Sequence, residues 1–330
     1  MKPFICAIVG ASGMVGGMFV KVLEERELPV TKLYLFASAR SAGQAIKFQG
    51  QDIIIEELTP TAFENRGIDI CLFAVDGRLS REYAPLAVKS GAVVVDNSSA
   101  WRMDAETPLV VPEVNGADLS SHKGIIANPN CCAAPAVVAL KPLHEKYGLR
   151  RVVISTYQSV SGAGVEGIDD LVKGLKGEAP KQFPHPIANN IIPHIDTFHP
   201  CGYTGEEKKL MAEVQKMLHA PSLAITATTV RVPVTYGHSL SINVTLQSPF
   251  ELAEVRGILS AAPGAKLADD PFQNLYPMPL TAAGEDFVYI GRLRRDDSFE
   301  NTLNMWVSSD NTRKGAALNA VQIVEALELS

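Results

Sequence analysis

The N-terminal stretch constrains the fold more than any other part of this chain. Phe4-Ile5-Cys6-Ala7-Ile8-Val9 is a short, unbroken apolar run. Such a run marks a strand buried on both faces of a parallel sheet. It leads directly into Gly10-Ala11-Ser12-Gly13-Met14-Val15-Gly16-Gly17. A helical pattern follows, with Met18, Phe19, Val22 and Leu23 on one face and Lys21, Glu24, Glu25 and Arg26 on the other. A dinucleotide pyrophosphate characteristically rests on the helix N-terminus of this strand, glycine turn and helix. The spacing is G-x-x-G-x-x-G, a variant of the usual fingerprint; its flanks make the case, since glycines alone are a weak signal.

The second strand, Lys32 to Phe36, bears on which dinucleotide. A site for NAD usually carries an acidic residue about 20 residues after the glycine turn, to hold the ribose hydroxyl. Here the strand ends in Ala37-Ser38-Ala39-Arg40-Ser41. Two hydroxyls and a guanidinium suit a 2′-phosphate, so NADP is the expected cofactor; the plain alternative is an exposed polar turn. Further strands are expected at Ile68 to Val75 and Ala92 to Asp96, the latter running into Asn97-Ser98-Ser99-Ala100-Trp101-Arg102. Polar groups just past a strand's carboxyl end lie where open α/β sheets bind ligands. Arg102 is thus read as an anion ligand.

Asn128-Pro129-Asn130-Cys131-Cys132-Ala133-Ala134-Pro135 places a thiol at the start of a helix. Asn-Pro-Asn is turn chemistry, and Pro135 is tolerated only in a helix's first turn. Backbone N–H groups there stabilise an anion, which makes a thiol nucleophilic. The plain alternative is a pair of small buried thiols in a core helix.

At 330 residues two domains are expected. From Arg151 the pattern changes. Val152 to Tyr157 is a strong strand ending in the small-residue loop Gln158 to Gly164, and Gly167 to Lys176 reads as a helix. Prolines keep residues 177–204 looped or extended. Thr204-Gly205-Glu206-Glu207 resembles a capping box that opens a helix with Leu210, Val214, Met217 and Leu218 on its apolar face. Strand-like runs at Leu223 to Val234, His238 to Leu246, Phe287 to Leu293 and Thr302 to Ser308 suggest an antiparallel or mixed sheet. Residues 312–330 look helical again. Pro233 confines its strand to an edge or an end. Taken singly, His238 reads as an ordinary hydrogen-bonded histidine, and Glu206 and Lys209, one turn apart, read as a solvated pair.

The bulk numbers narrow the class. A net charge of −6 argues against nucleic acid as the main partner. Five cysteines, an odd number, and no signal-like start point to reduced thiols in the cytoplasm. No apolar run approaches the length of a membrane span.

Together these segments resemble the aspartate-β-semialdehyde dehydrogenase family over essentially the whole chain. The likeness runs through Gly10 to Gly16, Ser38 to Gly43, Asp96 to Arg102, Val110 to Asn115, Asn128 to Cys131, Ser155 to Gln158 with Ser161 to Gly164, Asn190 to Asp196, Glu206 to Lys209, Arg231 to Val234 with Gly237 to Ser239, and Asp310 to Ala316. The resemblance implies an α/β protein. An N-terminal Rossmann-type dinucleotide-binding domain, residues 1–130, would be completed by a C-terminal helix, 312–330. An α+β catalytic and dimerisation domain with a mixed sheet would span 131–311.

It also implies roles. Cys131 would be the nucleophile, His238 the general acid/base, and Gln158 the group that orients substrate or thioester. Arg231 would pair with the substrate α-carboxylate and Glu206 with its ammonium. Arg102, Asn130 and Lys209 would bind the phosphate. Gly10, Ser12, Gly13, Met14, Val15, Gly16, Ser38, Arg40, Ser41, Ser161, Gly162, Gly164, Asn311 and Gln322 would hold NADP, with no metal. The reaction implied is reductive dephosphorylation of L-aspartyl 4-phosphate to L-aspartate 4-semialdehyde and phosphate through a cysteine thioester. It would serve lysine, threonine and methionine biosynthesis in a cytoplasmic homodimer.

Two departures stand out. Cys132-Ala133 replaces the Ser-Thr usual after the nucleophile, and Asp76 lies where the family has a small, glycine-rich stretch. The nearest alternative activity is N-acetyl-glutamyl-phosphate reduction, against which Glu206 speaks, since an acetylated amine carries no charge. A catalytically silent relative acting as a binding protein is a third reading, and the presence of Cys131, Gln158, Arg231 and His238 weighs against it.

Overall fold

In the computed structural model, which describes residues 1–327, the chain divides into two compact units. The first comprises Met1–Pro129 and the stretch beginning at Ala316; the second is Asn130–Gly315. The breaks expected at 130/131 and 311/312 therefore lie one and four residues away, and residues 328–330 of the expected closing helix lie outside the described residues.

The first unit is a seven-stranded sheet. Its strands are β1 (Phe4–Val9), β2 (Val30–Ala37), β3 (Ala45–Phe48), β4 (Gln51–Glu57), β5 (Ile70–Phe73), β6 (Val93–Asp96) and β7 (Ile125–Ala127), in the order β3-β4-β2-β1-β5-β6-β7. All pairings are parallel except the β3–β4 hairpin. The apolar run of β1 is continuous because both faces are covered. Cys6 and Ile8 enter a core built with α1 (Met14–Glu25) and the closing helix Leu318–Ala326; Ala7 and Val9 enter a second core with α2 (Gly77–Lys89). Burial pushes the Cys6 and Cys71 thiols up, which fits inert core packing.

Neighbouring strands leave β1 on opposite sides, to β2 and to β5, and this is the topological switch point where such sheets bind ligands. The chain turns there at Gly10, whose φ is +87°. A Cβ on Gly10 would stand 2.3 Å from the Ala74 carbonyl oxygen, and one on Gly16 would stand 2.2 Å from the Gly10 oxygen. Both positions therefore require glycine. No side chain caps α1, so its first backbone N–H groups face outward from the turn.

The second unit carries a six-stranded sheet of β8 (Leu149–Gln158), β9 (Ala224–Arg231), β10 (His238–Leu246), β11 (Ala265–Leu267), β12 (Val288–Arg295) and β13 (Thr302–Ser309). The order β11-β12-β13-β10-β8-β9 is mixed: β8–β9 and β11–β12 are parallel, the rest antiparallel. Its helices are α3 (Ala133–Tyr147), α4 (Gly164–Gly174), α5 (Gly205–Met217) and α6 (Leu252–Ala261). Pro233 falls beyond the end of β9, itself an edge strand. α4 begins three residues earlier than its apolar pattern suggests, because Gly164, at φ +80°, makes the turn that starts it.

The capping box at α5 is complete: Thr204 Oγ1 accepts from Glu207 N–H and the Glu207 carboxylate accepts from Thr204 N–H. Thr204→Ala is expected to lower stability by about 1 kcal/mol, read by chemical denaturation. Thr204→Ser should stay near the parent. Equal losses for both would show that packing, not the hydroxyl, fixes this helix end.

Candidate active site

Register brings three side chains of the second unit together. β8 and β9 run parallel with Gln158 opposite Arg231, each the last residue of its strand. β10 runs antiparallel to β8 and starts at His238, next to that end. The start of α3 supplies Cys131 and the first turn of α5 supplies Glu206. The donor atoms of Cys131, Cys132 and His238 all lie within 4.8 Å of one another.

Asn130 fixes the approach to the helix. Its N–H donates to Glu213 Oε2 (2.6 Å), its Oδ1 accepts from Cys132 N–H (2.8 Å), and its Nδ2 donates to Glu206 Oε1 (2.8 Å). Gln158 Nε2 donates to the same Glu206 oxygen at 3.1 Å. Glu206 is therefore a buried carboxylate turned inward, contrary to the solvated-pair reading. Lys209 pairs elsewhere, with Asp196 at 2.5 Å, and both are part-exposed. Burial would lift the Asp196 carboxyl, but the Lys209 ammonium and Thr197 N–H outweigh it and hold it low.

The two thiols are unequal. Cys131 is half-buried and Cys132 buried. The Cys132 thiol, hydrogen-bonded to Cys131, holds Cys131 well below the ordinary thiol range against the opposing effect of burial; neighbouring His238 and Arg231 add to it. Burial and the Cys131 sulfur push Cys132 well up. Of the two, Cys131 is the better-stabilised anion, with the Cys132 thiol as its hydrogen-bond donor. A Cβ on Gly315 would stand 3.0 Å from the Cys131 carbonyl oxygen, so a small residue is needed there.

Arg231 is a buried cation. Nη1 donates to the Ser159 carbonyl (2.6 Å), while Nε has no hydrogen-bond partner among the described residues. Burial lowers its pKa, opposed by Cys131 and Glu206. Ser159, Ser161 and Asn311 surround the other side of His238: Ser159 N–H donates to Nδ1 at 3.0 Å, and Asn311 Oδ1 accepts from Ser159 Oγ (3.1 Å) and Gly237 N–H (3.0 Å). Gly162 leaves room for Arg231 and His238, whose atoms would stand 2.8 and 3.2 Å from a Cβ there.

The remaining expected residues belong to the first unit. Arg102 is buried and donates to the carbonyls of Asn128 (2.9 Å) and Asn97 (2.7 Å). Arg40 and Ser38 are exposed after β2, Ser41 is buried, and Arg40 makes no ion pair among the described residues. Ser12, Gly13, Met14, Val15 and Gly16 form the turn and start of α1. Gln322 donates to Glu113. Asp76 is the N-cap of α2, accepting from Arg78 and Leu79 N–H, which gives this unusual residue a structural role. Glu213 and Ser159 escaped the sequence reading because their partners are far away in sequence.

With this geometry in hand, the comparisons are specific. The semialdehyde dehydrogenase NAD binding domain matches residues 6–122, and the semialdehyde dehydrogenase dimerisation domain matches 140–314. An aspartate-semialdehyde dehydrogenase of Aquifex aeolicus is 52% identical, covering 97% of each chain. One from Bacillus subtilis is 46% identical, covering 98% of this chain and 96% of the relative. The chain belongs to the aspartate-semialdehyde dehydrogenase family. Aspartate semialdehyde dehydrogenase II of Vibrio cholerae, complexed with ASA, superposes with TM-score 0.94 at 42% identity, covering 99% of this chain and 98% of that one. The Candida albicans enzyme with NADP does so at 0.76 and 25% identity, with 99% and 98% covered. Family membership makes this chain a nicotinamide-dependent oxidoreductase.

Iodoacetamide is expected to label Cys131 first. The thiolate is lost only as pH falls through its depressed pKa, so labelling should persist well below the ordinary thiol range. Cys132→Ala removes the donor and should slow labelling near neutral pH by roughly tenfold. Faster labelling of Cys132, or an unchanged rate in the variant, would contradict this charge assignment.

Proposed function

We propose that this protein catalyses the NADP-dependent reductive dephosphorylation of L-aspartyl 4-phosphate to L-aspartate 4-semialdehyde. The observation that carries the reading is one cluster of the half-buried Cys131 thiol beside His238, the buried cation Arg231 and the inward carboxylate Glu206. The substrate carries an α-carboxylate, which Arg231 would answer, an ammonium, which Glu206 would answer, and an acyl phosphate, whose acyl carbon the thiol would attack.

Cys131 attacks the acyl carbon, phosphate leaves with the C–O bond electrons, and a thioester remains. Bound nicotinamide supplies the hydride that reduces that thioester. Cys131 is then expelled as the aldehyde forms. Gln158 orients the acyl group, Arg231 takes the α-carboxylate through its unpartnered Nε, and Glu206 takes the ammonium. Arg102, Lys209 and the remaining Asn130 N–H bind the phosphoryl group. Glu206 also favours this substrate over an N-acetylated one.

For the cofactor, the uncapped start of α1 suits a pyrophosphate, and the exposed Arg40, without an ion pair among the described residues, suits a 2′-phosphate together with Ser38 and Ser41. Ser161, Gly162, Gly164, Asn311 and Gln322 complete the proposed cofactor set. A homodimer is supported by the match to a dimerisation domain. The sheet face bearing Ser155, Tyr157, Ser241, Asn243, Asn304 and Trp306 is only half-buried, and it is the natural surface for that contact. Among the described residues no helix is long and apolar enough to cross a membrane.

Phosphate-dependent oxidation of L-aspartate 4-semialdehyde, followed as NADPH absorbance with NAD run alongside, tests the reading. Arg102→Leu should raise the KM for phosphate and Arg231→Leu that for the semialdehyde, each roughly 10- to 150-fold, the worth of a charge-assisted bond. Equal effects on both substrates would reverse the assignment. Arg40→Ala should weaken NADP about tenfold or more and spare NAD; calorimetric titration in which the parent binds both equally would overturn the cofactor choice.

A further inference from the structure

We propose that Cys131 and Cys132 form a reversible oxidation site for hydroperoxides, in which the Cys131 sulfur takes the oxidant and the Cys132 sulfur closes it into a disulfide between sequence neighbours. The inference goes beyond the proposed function; only its consequence, that oxidation halts turnover, rests on that reading.

The two sulfurs stand as a reactive thiol and its resolving partner, within 4.8 Å of each other. Cys131 is half-buried and so open to a small molecule, whereas Cys132 is fully buried. An oxidant from solution therefore meets Cys131 first. Cys131 is also the sulfur whose anion is stabilised, and peroxides react with thiolates. Burial keeps Cys132 a thiol until an electrophilic sulfur forms beside it. Among the described residues no other cysteine joins this cluster: Cys6 and Cys71 are packed in the cores of the first unit, and the exposed Cys201 lies apart from it.

The chemistry balances. The Cys131 thiolate attacks one peroxide oxygen; an S–O bond forms, the O–O bond breaks, and hydroxide leaves. The sulfur is oxidised by two electrons and the peroxide is reduced by them. The hydroxide takes up the proton that Cys131 lost on ionising. The Cys132 sulfur then attacks the Cys131 sulfur as its own proton passes to the departing oxygen; S–S forms, S–O breaks and water leaves. Two thiols and one hydrogen peroxide thus give one disulfide and two waters. The neighbouring amide competes poorly for the sulfenic acid, since Cys132 N–H is already held by Asn130 Oδ1 at 2.8 Å.

Such a disulfide opens again easily. Neighbouring Cα atoms are about 3.8 Å apart, below the roughly 4.4–6.8 Å that disulfides usually span. Strained disulfides are readily reduced. The strain falls on the turn at Cys131-Cys132, because the regular residues of α3 begin only at Ala133. The site therefore holds the first oxidation product in a form that a dithiol reverses, before a second peroxide makes an irreversible sulfinic acid.

The test is peptide mass analysis of the full-length protein after hydrogen peroxide, with remaining thiols alkylated under denaturing conditions. The peptide holding both residues is expected to be lighter by two hydrogens and unalkylated at both, and dithiothreitol should restore it. Cys132→Ser keeps a small hydroxyl side chain but cannot close the ring. Its Cys131 should go on to sulfinic acid, leaving roughly tenfold less thiol recoverable by dithiothreitol than in the parent. A parent that accumulates sulfinic acid, a disulfide from Cys131 to any other cysteine, the two-hydrogen loss with Cys132 still alkylated, or a Cys131 that excess peroxide leaves as a thiol would each overturn the inference. So would full recovery in Cys132→Ser. The parent result decides alone if that variant does not fold. The readout needs no turnover, so failure to oxidise L-aspartate 4-semialdehyde would count against the proposed function and leave this site untouched.

Discussion

The second unit depends on mutual compensation among charges buried where β8, β9 and β10 end. A lone guanidinium or carboxylate in that position would be costly, by several kcal/mol. Arg231 tolerates its burial because a thiolate-leaning sulfur and the Glu206 carboxylate stand near it. Glu206 in turn is held by amide donors from Asn130 and Gln158. Removing one member strands the others, so the cluster is a single object rather than a set of independent contacts. It also explains the acidic residues on the inward side of α5: Glu213 holds the Asn130 amide, and Glu207 closes the cap and accepts from Thr229.

The first unit solves a different problem, that of letting backbone approach a ligand. Gly10 and Gly16 have no room for a side chain, and α1 begins without a capping side chain. Its stability comes from two cores on opposite faces of the sheet. Arg26, joined to Glu325 through two hydrogen bonds of 2.6 and 2.8 Å, ties the closing helix to α1.

Much of this was legible in the sequence where the signal is local. The strand, glycine turn and helix at the N-terminus follow from adjacent residues, and so does the capping box at Thr204. The thiol at a helix start follows from Asn-Pro-Asn and Pro135. What stayed hidden depends on distant partners. Glu206 and Lys209 share a helix face by spacing, yet one turns to Asn130, 76 residues away, and the other to Asp196. Ser159 looked like one small residue in a loop; only the register of β8 with β10 places its amide on His238. The β3–β4 hairpin turns at Gln49-Gly50, both at positive φ, where Asn-Gly would have announced it. Asp76 stood out in the sequence only as a departure from the family's small, glycine-rich stretch; the structure makes it the cap of α2.

The central claim is that Cys131 carries the acyl group between phosphate chemistry and hydride chemistry. Stopped-flow mixing with L-aspartate 4-semialdehyde and NADP in the absence of phosphate tests it most directly, with intact-mass analysis of the quenched protein. The account predicts a rapid burst of NADPH of about one equivalent per chain, an aspartyl adduct on Cys131, and release of that adduct when phosphate is added. A burst with the adduct on Cys132, or NADPH formation with no protein adduct at all, would contradict it.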